Sequence, residues 1–258
     1  MNAFARHSML ATALVTTISL TACATSPTGR TQLKLVSDAE MNQMGIAAFQ
    51  ELKKKTPAAS NTSTSRYVQC VAQSITREVG GNWEVQVFES KEVNAFALPG
   101  GKIGVYTGML KVAENQNQLA AVIGHEVAHV LAGHSAARVS NQLATQMGVQ
   151  VLSASTGVSG DMIGAGANLL LLLPYSRGDE SESDILGQQI MARAGFDPSQ
   201  AAQLWVNMSK KAGGAPPEMM STHPAADTRI NDLQRNLPKV QPLYDQARAA
   251  GKKPSCSA

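Results

Sequence analysis

The segment GHEVAHVLAGH, residues 124–134, constrains the fold more than any other part of this 258-residue chain. It contains three of the five histidines in the sequence. Apolar residues recur at close to helical spacing between residues 119 and 130, which predicts an α-helix here. Residues four apart lie on one face of a helix, so His125 and His129 can reach the same metal ion from a rigid support.

Glu126 follows the first of these histidines and points to a neighbouring angle of the same helix. Its carboxylate can therefore face a water molecule beside the ion without binding the ion. This H-E-x-x-H arrangement is typical of zinc peptidases, in which the glutamate takes a proton from water and passes it to the leaving amine. The neutral imidazoles of His125 and His129 suit Zn²⁺, and we expect one zinc ion per chain. The alternative is a pair of core histidines without a metal.

A catalytic zinc ion needs a third protein ligand. His134 does not fit the metzincin pattern, which requires glycine at position 132 and histidine at position 135, where this chain has alanine and serine. We therefore interpret His134 as an ordinary surface or packing histidine.

The acidic stretch RGDESESDILG, residues 177–187, is the better source of a ligand. Glu180 and Asp184 lie four residues apart, hence on one face of the predicted helix. One carboxylate could bind the ion while the other accepts a hydrogen bond from a ligand histidine. The alternative is a solvated charged surface, which is the usual role of such a run.

The rest of the chain predicts an α+β domain that is mostly helical. Ser37 and Glu40 have the spacing of a capping box, and a second helix is predicted from Ser65 to Val79. Alternating apolar residues in NWEVQVF predict a half-buried strand, and NAFALPGGKIGVYTG predicts two further strands joined by a Pro-Gly-Gly turn. From Asn115 onward helices dominate the prediction.

The N-terminus resembles a lipoprotein signal. Residues 1–22 combine a basic start with an apolar run that is too short to span a bilayer. They lead to the sequence LTAC, whose resemblance to a bacterial lipobox implies cleavage before Cys23 and a lipid on its sulfur. The lipid would anchor the protein to the periplasmic face of the outer membrane, with residues 23–36 as a polar tether. Plain secretion is the alternative.

Two further features leave alternatives open. Cys70 and Cys256 could form a disulfide in an oxidising periplasm or remain free thiols. The glycine-rich segment from residue 153, with the leucines at 169–173, could be a core-packing helix turn that Pro174 ends. The alternative is a lid or a membrane-facing loop near the active site.

Three segments, GHEVAHVLAGH, YSRGDESESDILG and STHPAADTRI, match in order the H-E-x-x-H, S-R-x-x-E-x-E-x-D and T-H-P-x-x-x-x-R-I patterns of one family. Over about residues 65–237 the chain resembles the HtpX-like zinc metallopeptidases, metallopeptidase family forty-eight. With its lipobox it is similar to the periplasmic BepA/LoiP-like lipoprotein branch. The resemblance implies a zincin-like (gluzincin) domain with a small β-sheet beside the active-site helix. We expect this domain at residues 37–240, followed by a C-terminal tail at residues 241–258.

The resemblance also implies roles for single residues. It places the third zinc ligand at Glu180 and puts Asp184 near the ligands with a proton-donor role. Ser183 stands where the family usually has alanine. His223 is implied to lie near the zinc, where we hypothesise that it donates to the oxyanion or occupies the open zinc position in a resting state. Arg229 is interpreted as the partner of a buried carboxylate.

These predictions favour a zinc endopeptidase of the bacterial cell envelope. The resemblance implies unfolded or misassembled outer-membrane proteins as substrates, and a free strand edge in NAFALPGG is expected to hold their backbone. The alternative function is an envelope chaperone or assembly factor with a gated zinc site. The net charge is only +3 and the basic residues are scattered, so nucleic acid is not an expected partner. Six residues are expected to form the site: the metal ligands His125, His129 and Glu180, and the catalytic residues Glu126, Asp184 and His223.

Overall fold

A computed structural model of the protein describes residues 23–152, 170–171, 173–211, 218–223 and 227–257. Within these ranges the chain is mostly helical with two small β-sheets, and the predicted α+β fold class is confirmed. The strands are β1 Cys23–Thr25, β2 Thr31–Leu33, β3 Glu84–Phe88, β4 Ala95–Leu98 and β5 Lys102–Tyr106. The helices are α1 Asp38–Lys55, α2 Thr62–Val79, α3 Gln116–Leu131, α4 His134–Leu152, α5 Arg177–Arg193, α6 Gln200–Lys211, α7 Glu218–Thr222 and α8 Asp227–Ala249.

Side-chain caps fix the starts of the first two helices. The Ser37 hydroxyl accepts the Glu40 N–H and the Glu40 carboxylate accepts the Ser37 N–H, which confirms the predicted capping box. Helix α2 begins earlier than predicted, at Thr62, because the Asn61 side chain accepts the backbone N–H groups of its first turn. Such a cap stabilises a helix start by roughly 1 kcal/mol. The predicted start at Ser65 therefore lies three residues too late.

The larger sheet has three strands in the order β3-β5-β4, and it contains the two predicted strands that a turn joins, β4 and β5. Strand β3 runs parallel to β5. A turn through Gly100 and Gly101, both of which have positive φ angles, joins β4 to β5, and the two strands run antiparallel. Within the described chain β4 therefore lies at one edge of this sheet, and it packs beside helix α3.

Helix α3 is almost fully buried and packs most closely against α5. The two helices meet at glycines. A Cβ placed on Gly124 would lie 3.0 Å from the Gly187 oxygen, and one on Gly187 would lie 2.7 Å from the His125 nitrogen. Larger residues would force the two backbones apart. This contact brings the acidic residues of α5 against the histidine face of α3.

Residues 23–36, which we expected to form a tether, are folded over much of their length. Strands β1 and β2 pair antiparallel as a hairpin, and the hairpin packs on α4. The Gln32 side chain donates to the Ala132 carbonyl, and the Leu35 N–H donates to the Ser140 hydroxyl. The tether interpretation is corrected by this packing, because the Gln32 Nε2 group and the Leu35 N–H bond to the domain, which composition alone does not reveal.

The chain does not leave the domain at residue 241, where we expected a tail. Helix α8 continues to Ala249. The residues after it return to the domain, where Cys256 forms a disulfide with Cys70 of α2 and its N–H donates to the Gln116 side chain. This pairing decides between the two alternatives for these cysteines.

Some sequence predictions fall outside the described residues. Residues 1–22, the predicted signal, are among them, and so is most of the segment 153–173. Leu170 of this segment is described and buried, where it packs with Phe96 and Tyr106. In the part of the chain that the structure describes, no helix has both the length and the hydropathy that crossing a membrane requires.

Replacing Gly187 with alanine is expected to destabilise the protein by about 1–3 kcal/mol, because the added methyl group would overlap the backbone of α3. Gly178→Ala, on the same helix, is the matched control, since its methyl group would meet only the end of the flexible Arg30 side chain. Chemical denaturation of the two variants measures the difference. Equal unfolding free energies would contradict the packing described for α3 and α5.

Candidate metal centre

Helix α3 carries the two histidines of the H-E-x-x-H motif on its buried face. The Nε2 atoms of His125 and His129 lie 3.1 Å apart, so both rings aim a nitrogen at the same point. This is the geometry that the spacing of four residues predicts for a helix.

Glu180, in the first turns of α5, and His223, directly after α7, join this pair. The Glu180 Oε1 atom lies 3.3 Å from His129 Nε2 and 3.0 Å from His223 Nδ1. His223 Nδ1 in turn lies 3.3 Å from His125 Nε2. One donor atom from each of the four residues lies within 4.8 Å of all the others, and all four residues are buried.

The spacing of these donor atoms fits a single metal ion. A tetrahedral centre with bonds of about 2.0–2.1 Å has edges of roughly 3.4 Å, close to the separations of 3.0, 3.1 and 3.3 Å in this cluster. Imidazole nitrogens with one carboxylate oxygen are a common donor set for divalent transition metals. Among the described residues, the Glu126 Oε1 atom is also buried without a hydrogen-bond partner. An oxygen in this position is free to face a reactant.

Arg229 and Asp184 hold the cluster from behind. The Asp184 carboxylate lies 3.0 Å from His125 Nδ1 and receives hydrogen bonds of 2.7 Å from two Arg229 nitrogens. The same guanidinium lies 2.6 Å from Glu180 Oε2 and 3.7 Å from the ring of Trp205. The prediction that Arg229 pairs with buried carboxylate is confirmed.

Glu126 faces the opposite side, toward a cavity of about 290 Å³. Its carboxylate accepts the Ala97 N–H from strand β4, and His223 Nε2 lies 3.5 Å from Oε1. Burial raises the pKa of Glu126 above its ordinary value, which makes the carboxylate a better proton acceptor. The described residues that line the cavity are Glu92, Asn94, Ala95, Phe96, Ala97, Tyr106, Glu126, Arg138, Leu170, Leu171, Tyr175, Thr222 and His223.

Asp184 does not face this cavity. In the described part of the chain its carboxylate lies on the far side of His125, against Arg229. The position suits a residue that fixes the orientation of His125 by accepting its Nδ1–H. A proton donor would need contact with the reacting groups, so the role that the resemblance implied for Asp184 gains no support from its location.

His134 is more than the surface or packing histidine that we predicted. It is fully buried, with Nδ1 3.0 Å from His129 Nδ1 and Nε2 3.1 Å from the Glu182 carboxylate. The Ser183 hydroxyl lies 3.2 Å from the same Nδ1, and Tyr175 stacks on His129 at 3.8 Å between ring centroids. The sequence signal for this role is the third histidine within eleven residues, which a comparison with metal-ligand patterns alone does not reveal.

The charges of the cluster depend on one another. Burial opposes the charge of Glu180, but the facing histidines hold the pKa of its carboxyl far below the ordinary range. Burial lowers the pKa of His129, so this ring is neutral. Burial also disfavours the charge of His125, but the Asp184 and Glu180 carboxylates outweigh it and raise the pKa of His125 to about 9. A metal ion that binds here must therefore displace a proton from His125.

Comparison with known proteins identifies relatives over most of the described chain. Residues 58–237 match the model of Peptidase family M48. The chain is 38% identical over 183 residues to the mitochondrial metalloendopeptidase OMA1 of Schizosaccharomyces pombe, a match that covers 69% of this chain and 54% of that protein. It is 29% identical over 209 residues to the metalloprotease LoiP of Escherichia coli, covering 78% of this chain and 82% of that protein. It is 26% identical over 223 residues to the beta-barrel assembly-enhancing protease of Yersinia pestis, a match that covers 80% of this chain and 45% of that protein.

The chain spans about half the length of several curated relatives that it matches, including two OMA1 proteins. The matched residues 58–237 contain every member of the cluster, from His125 to His223. The candidate metal site therefore lies within the region that matches the family model.

Metal binding is expected to release about one proton per ion between about pH 6 and pH 8. His125 is protonated below a pKa of about 9 and must lose this proton to bind, so the apparent affinity rises with pH until that value is reached. Titration calorimetry with Zn²⁺ in buffers of different ionisation enthalpy measures the release. Asp184→Asn removes the carboxylate that raises this pKa and should reduce the proton count. No proton release by the unmodified protein would contradict the prediction.

Proposed function

The chain belongs to peptidase family M48, and on this basis we propose that it is a zinc-dependent endopeptidase. The family that the sequence motifs predicted, a family of metallopeptidases, is confirmed. One observation carries the proposal: the buried cluster of His125, His129, Glu180 and His223 adjoins a cavity that Glu126 also lines. Zinc is the proposed ion because two histidines and one glutamate are a ligand set of zinc peptidases.

The residues around the cavity divide the work of peptide hydrolysis. A zinc ion held by the cluster would supply a Lewis acid that polarises the scissile carbonyl and makes water more acidic. Glu126, whose carboxylate is held by the Ala97 N–H and whose pKa is raised, takes a proton from water and returns it to the leaving amine. Asp184 keeps the His125 ring oriented toward the ligand point.

Strand β4 is proposed to bind the substrate backbone. The Asn94 carbonyl, directly before the strand, accepts the Tyr106 N–H from β5, whereas the Ala97 N–H points the other way, to Glu126. Because backbone groups alternate along a strand, Ala95 also faces away from β5. An extended peptide that paired with this edge would lie beside Glu126. Such pairing reads backbone atoms, so it suits unfolded segments.

The proposed substrates are unfolded or misassembled envelope proteins of a Gram-negative bacterium. The lipobox-like LTAC supports a lipid on Cys23 and a location on the periplasmic face of the outer membrane. The beta-barrel assembly-enhancing proteases of Yersinia pestis and Escherichia coli carry by name a link to outer-membrane assembly. The OMA1 relatives are mitochondrial by name, so the proposed location depends on the N-terminal sequence.

A second function, binding without cleavage, is favoured by the position of His223. Its Nδ1 atom lies 3.0 Å from Glu180 and 3.3 Å from His125, where it would fill the position that a catalytic metal keeps open. A protein held in this state would act as an envelope chaperone or assembly factor with a gated site. In a strain that lacks the protein, full restoration of the envelope by Glu126→Gln would favour binding, and no restoration would favour cleavage.

Glu126→Gln is expected to lower the rate of casein cleavage by about 10²–10⁴-fold, because the amide cannot accept the proton from water. Its metal content should stay unchanged, since Glu126 does not belong to the ligand cluster. Glu92→Gln is the matched control, as Glu92 is an exposed acid that lines the same cavity. A rate equal to that of the unmodified protein would exclude the proposed mechanism.

Substitution of His223 separates its two hypothesised roles. We expect His223→Ala and His223→Phe to raise the basal cleavage rate, because the Nδ1 atom lies among the ligand atoms and its removal would open the fourth position. A role as oxyanion donor predicts the reverse, a fall of about 10²–10³-fold. The initial rate of casein cleavage, normalised to bound metal, distinguishes them. Unchanged rates in both variants would refute both roles.

A further inference from the structure

The turn of the N-terminal hairpin is hydrogen-bonded to a buried carboxylate of helix α5. Glu182 is 3% exposed. Its carboxylate accepts a 2.6 Å hydrogen bond from the Thr28 hydroxyl and a 2.9 Å hydrogen bond from the Arg30 guanidinium. The donors lie between β1 and β2, more than 150 residues before Glu182 in the sequence. A carboxylate of helix α5 thus takes two of its hydrogen-bond donors from the start of the described chain.

Glu182 also connects this turn to the metal cluster. Its Oε2 atom lies 3.1 Å from His134 Nε2, and His134 Nδ1 lies 3.0 Å from His129 Nδ1. Both histidines are fully buried. One continuous line of polar contacts therefore runs from the hairpin turn through two side chains to the ligand His129.

The direction of each hydrogen bond along this line follows from the chemistry of the groups. The Glu182 carboxylate already accepts from the hairpin, so His134 Nε2 donates to it. A neutral imidazole that donates at one nitrogen accepts at the other, so His134 Nδ1 accepts the Nδ1–H of His129. His129 Nε2 then carries the lone pair. This is the atom that lies 3.1 Å from His125 Nε2 and 3.3 Å from Glu180.

We propose that the metal centre has four further positioning residues outside its ligand set: Thr28, Arg30, Glu182 and His134. They fix the tautomer and the ring orientation of His129, as Asp184 does for His125 in one step. The hairpin turn thereby raises the affinity of the centre for its metal. The inference rests on the proposed function only in that His129 binds a metal ion.

Attachment of the hairpin to the domain does not require this arrangement. The Gln32 side chain and the Leu35 N–H already join the segment to Ala132, at the end of helix α3, and to Ser140 of helix α4. Burying Glu182 costs free energy that anchoring alone would not repay, because a carboxylate removed from water is stabilised only by well-placed donors. The donors from the hairpin stabilise the Glu182 carboxylate in its negatively charged form next to His134, which in turn contacts His129.

The test measures the dissociation constant of Zn²⁺ for the purified full chain by competition with a chromophoric chelator. His134→Phe keeps the ring volume without its nitrogens, and Glu182→Gln removes the negative charge. Both variants are expected to weaken Zn²⁺ binding by about 10–100-fold. Thr28→Val keeps the side-chain shape without the hydroxyl and should weaken binding by a smaller factor, whereas Thr28→Ser keeps the hydroxyl and should match the unmodified chain.

Glu84→Gln is the matched control, because Glu84 also pairs with two cationic side chains, Lys53 and Lys102, but on strand β3. Its Zn²⁺ affinity should not change. Thermal unfolding of the metal-free variants separates positioning from anchoring. If Thr28→Val and His134→Phe lower the melting temperature while the dissociation constant stays at the value of the unmodified chain, the proposal is overturned. If the unmodified chain itself binds no Zn²⁺, the proposed function fails first.

Discussion

Three carboxylates buried side by side are the constraint on which this structure depends. Glu126, Glu180 and Asp184 are 2%, 1% and 5% exposed, and a carboxylate removed from water costs several kcal/mol unless a cation faces it. Arg229 supplies one cation and bridges Asp184 and Glu180 from behind. Two negative charges remain: a proton on His125 meets one of them, and a bound divalent metal ion would meet both. The fold is thus built around a positive charge that its permanently charged residues only partly supply.

This charge balance divides the centre into a rear side and a front side. At the rear, Asp184, Arg229 and Trp205 form a packed group whose atoms touch the ligands but not the cavity. At the front, Glu126 meets the N–H of Ala97 at the sheet edge, where a peptide would enter. The glycine contact between α3 and α5 makes both sides possible, since it sets the two helices close enough for their polar side chains to share one small volume.

Whether the sequence predicted a contact depends on how many residues separate its two partners along the chain. The histidine pair on α3 and the capping box of α1 follow from spacings of three or four residues, and both are present in the structure. Glu180 and His223 lie far from α3 in sequence, and only the resemblance of motifs placed them near it. The contacts of His134 with Glu182, and of Glu182 with the hairpin, were missed. These contacts join segments that are far apart in sequence and that no helical or strand periodicity links. A polar N-terminal stretch also has the same composition whether or not it is folded.

The folded N-terminal hairpin limits how far the domain can move from a lipid anchor on Cys23. A disordered linker of fourteen residues would let a domain wander roughly 20 Å from its point of attachment. Here Cys23 is already the first residue of strand β1. A lipid on its sulfur would therefore leave no flexible linker between the bilayer and the catalytic domain. Such an enzyme would reach only substrates close to the membrane surface. A polypeptide chain that stayed near this surface for longer would be cleaved more often.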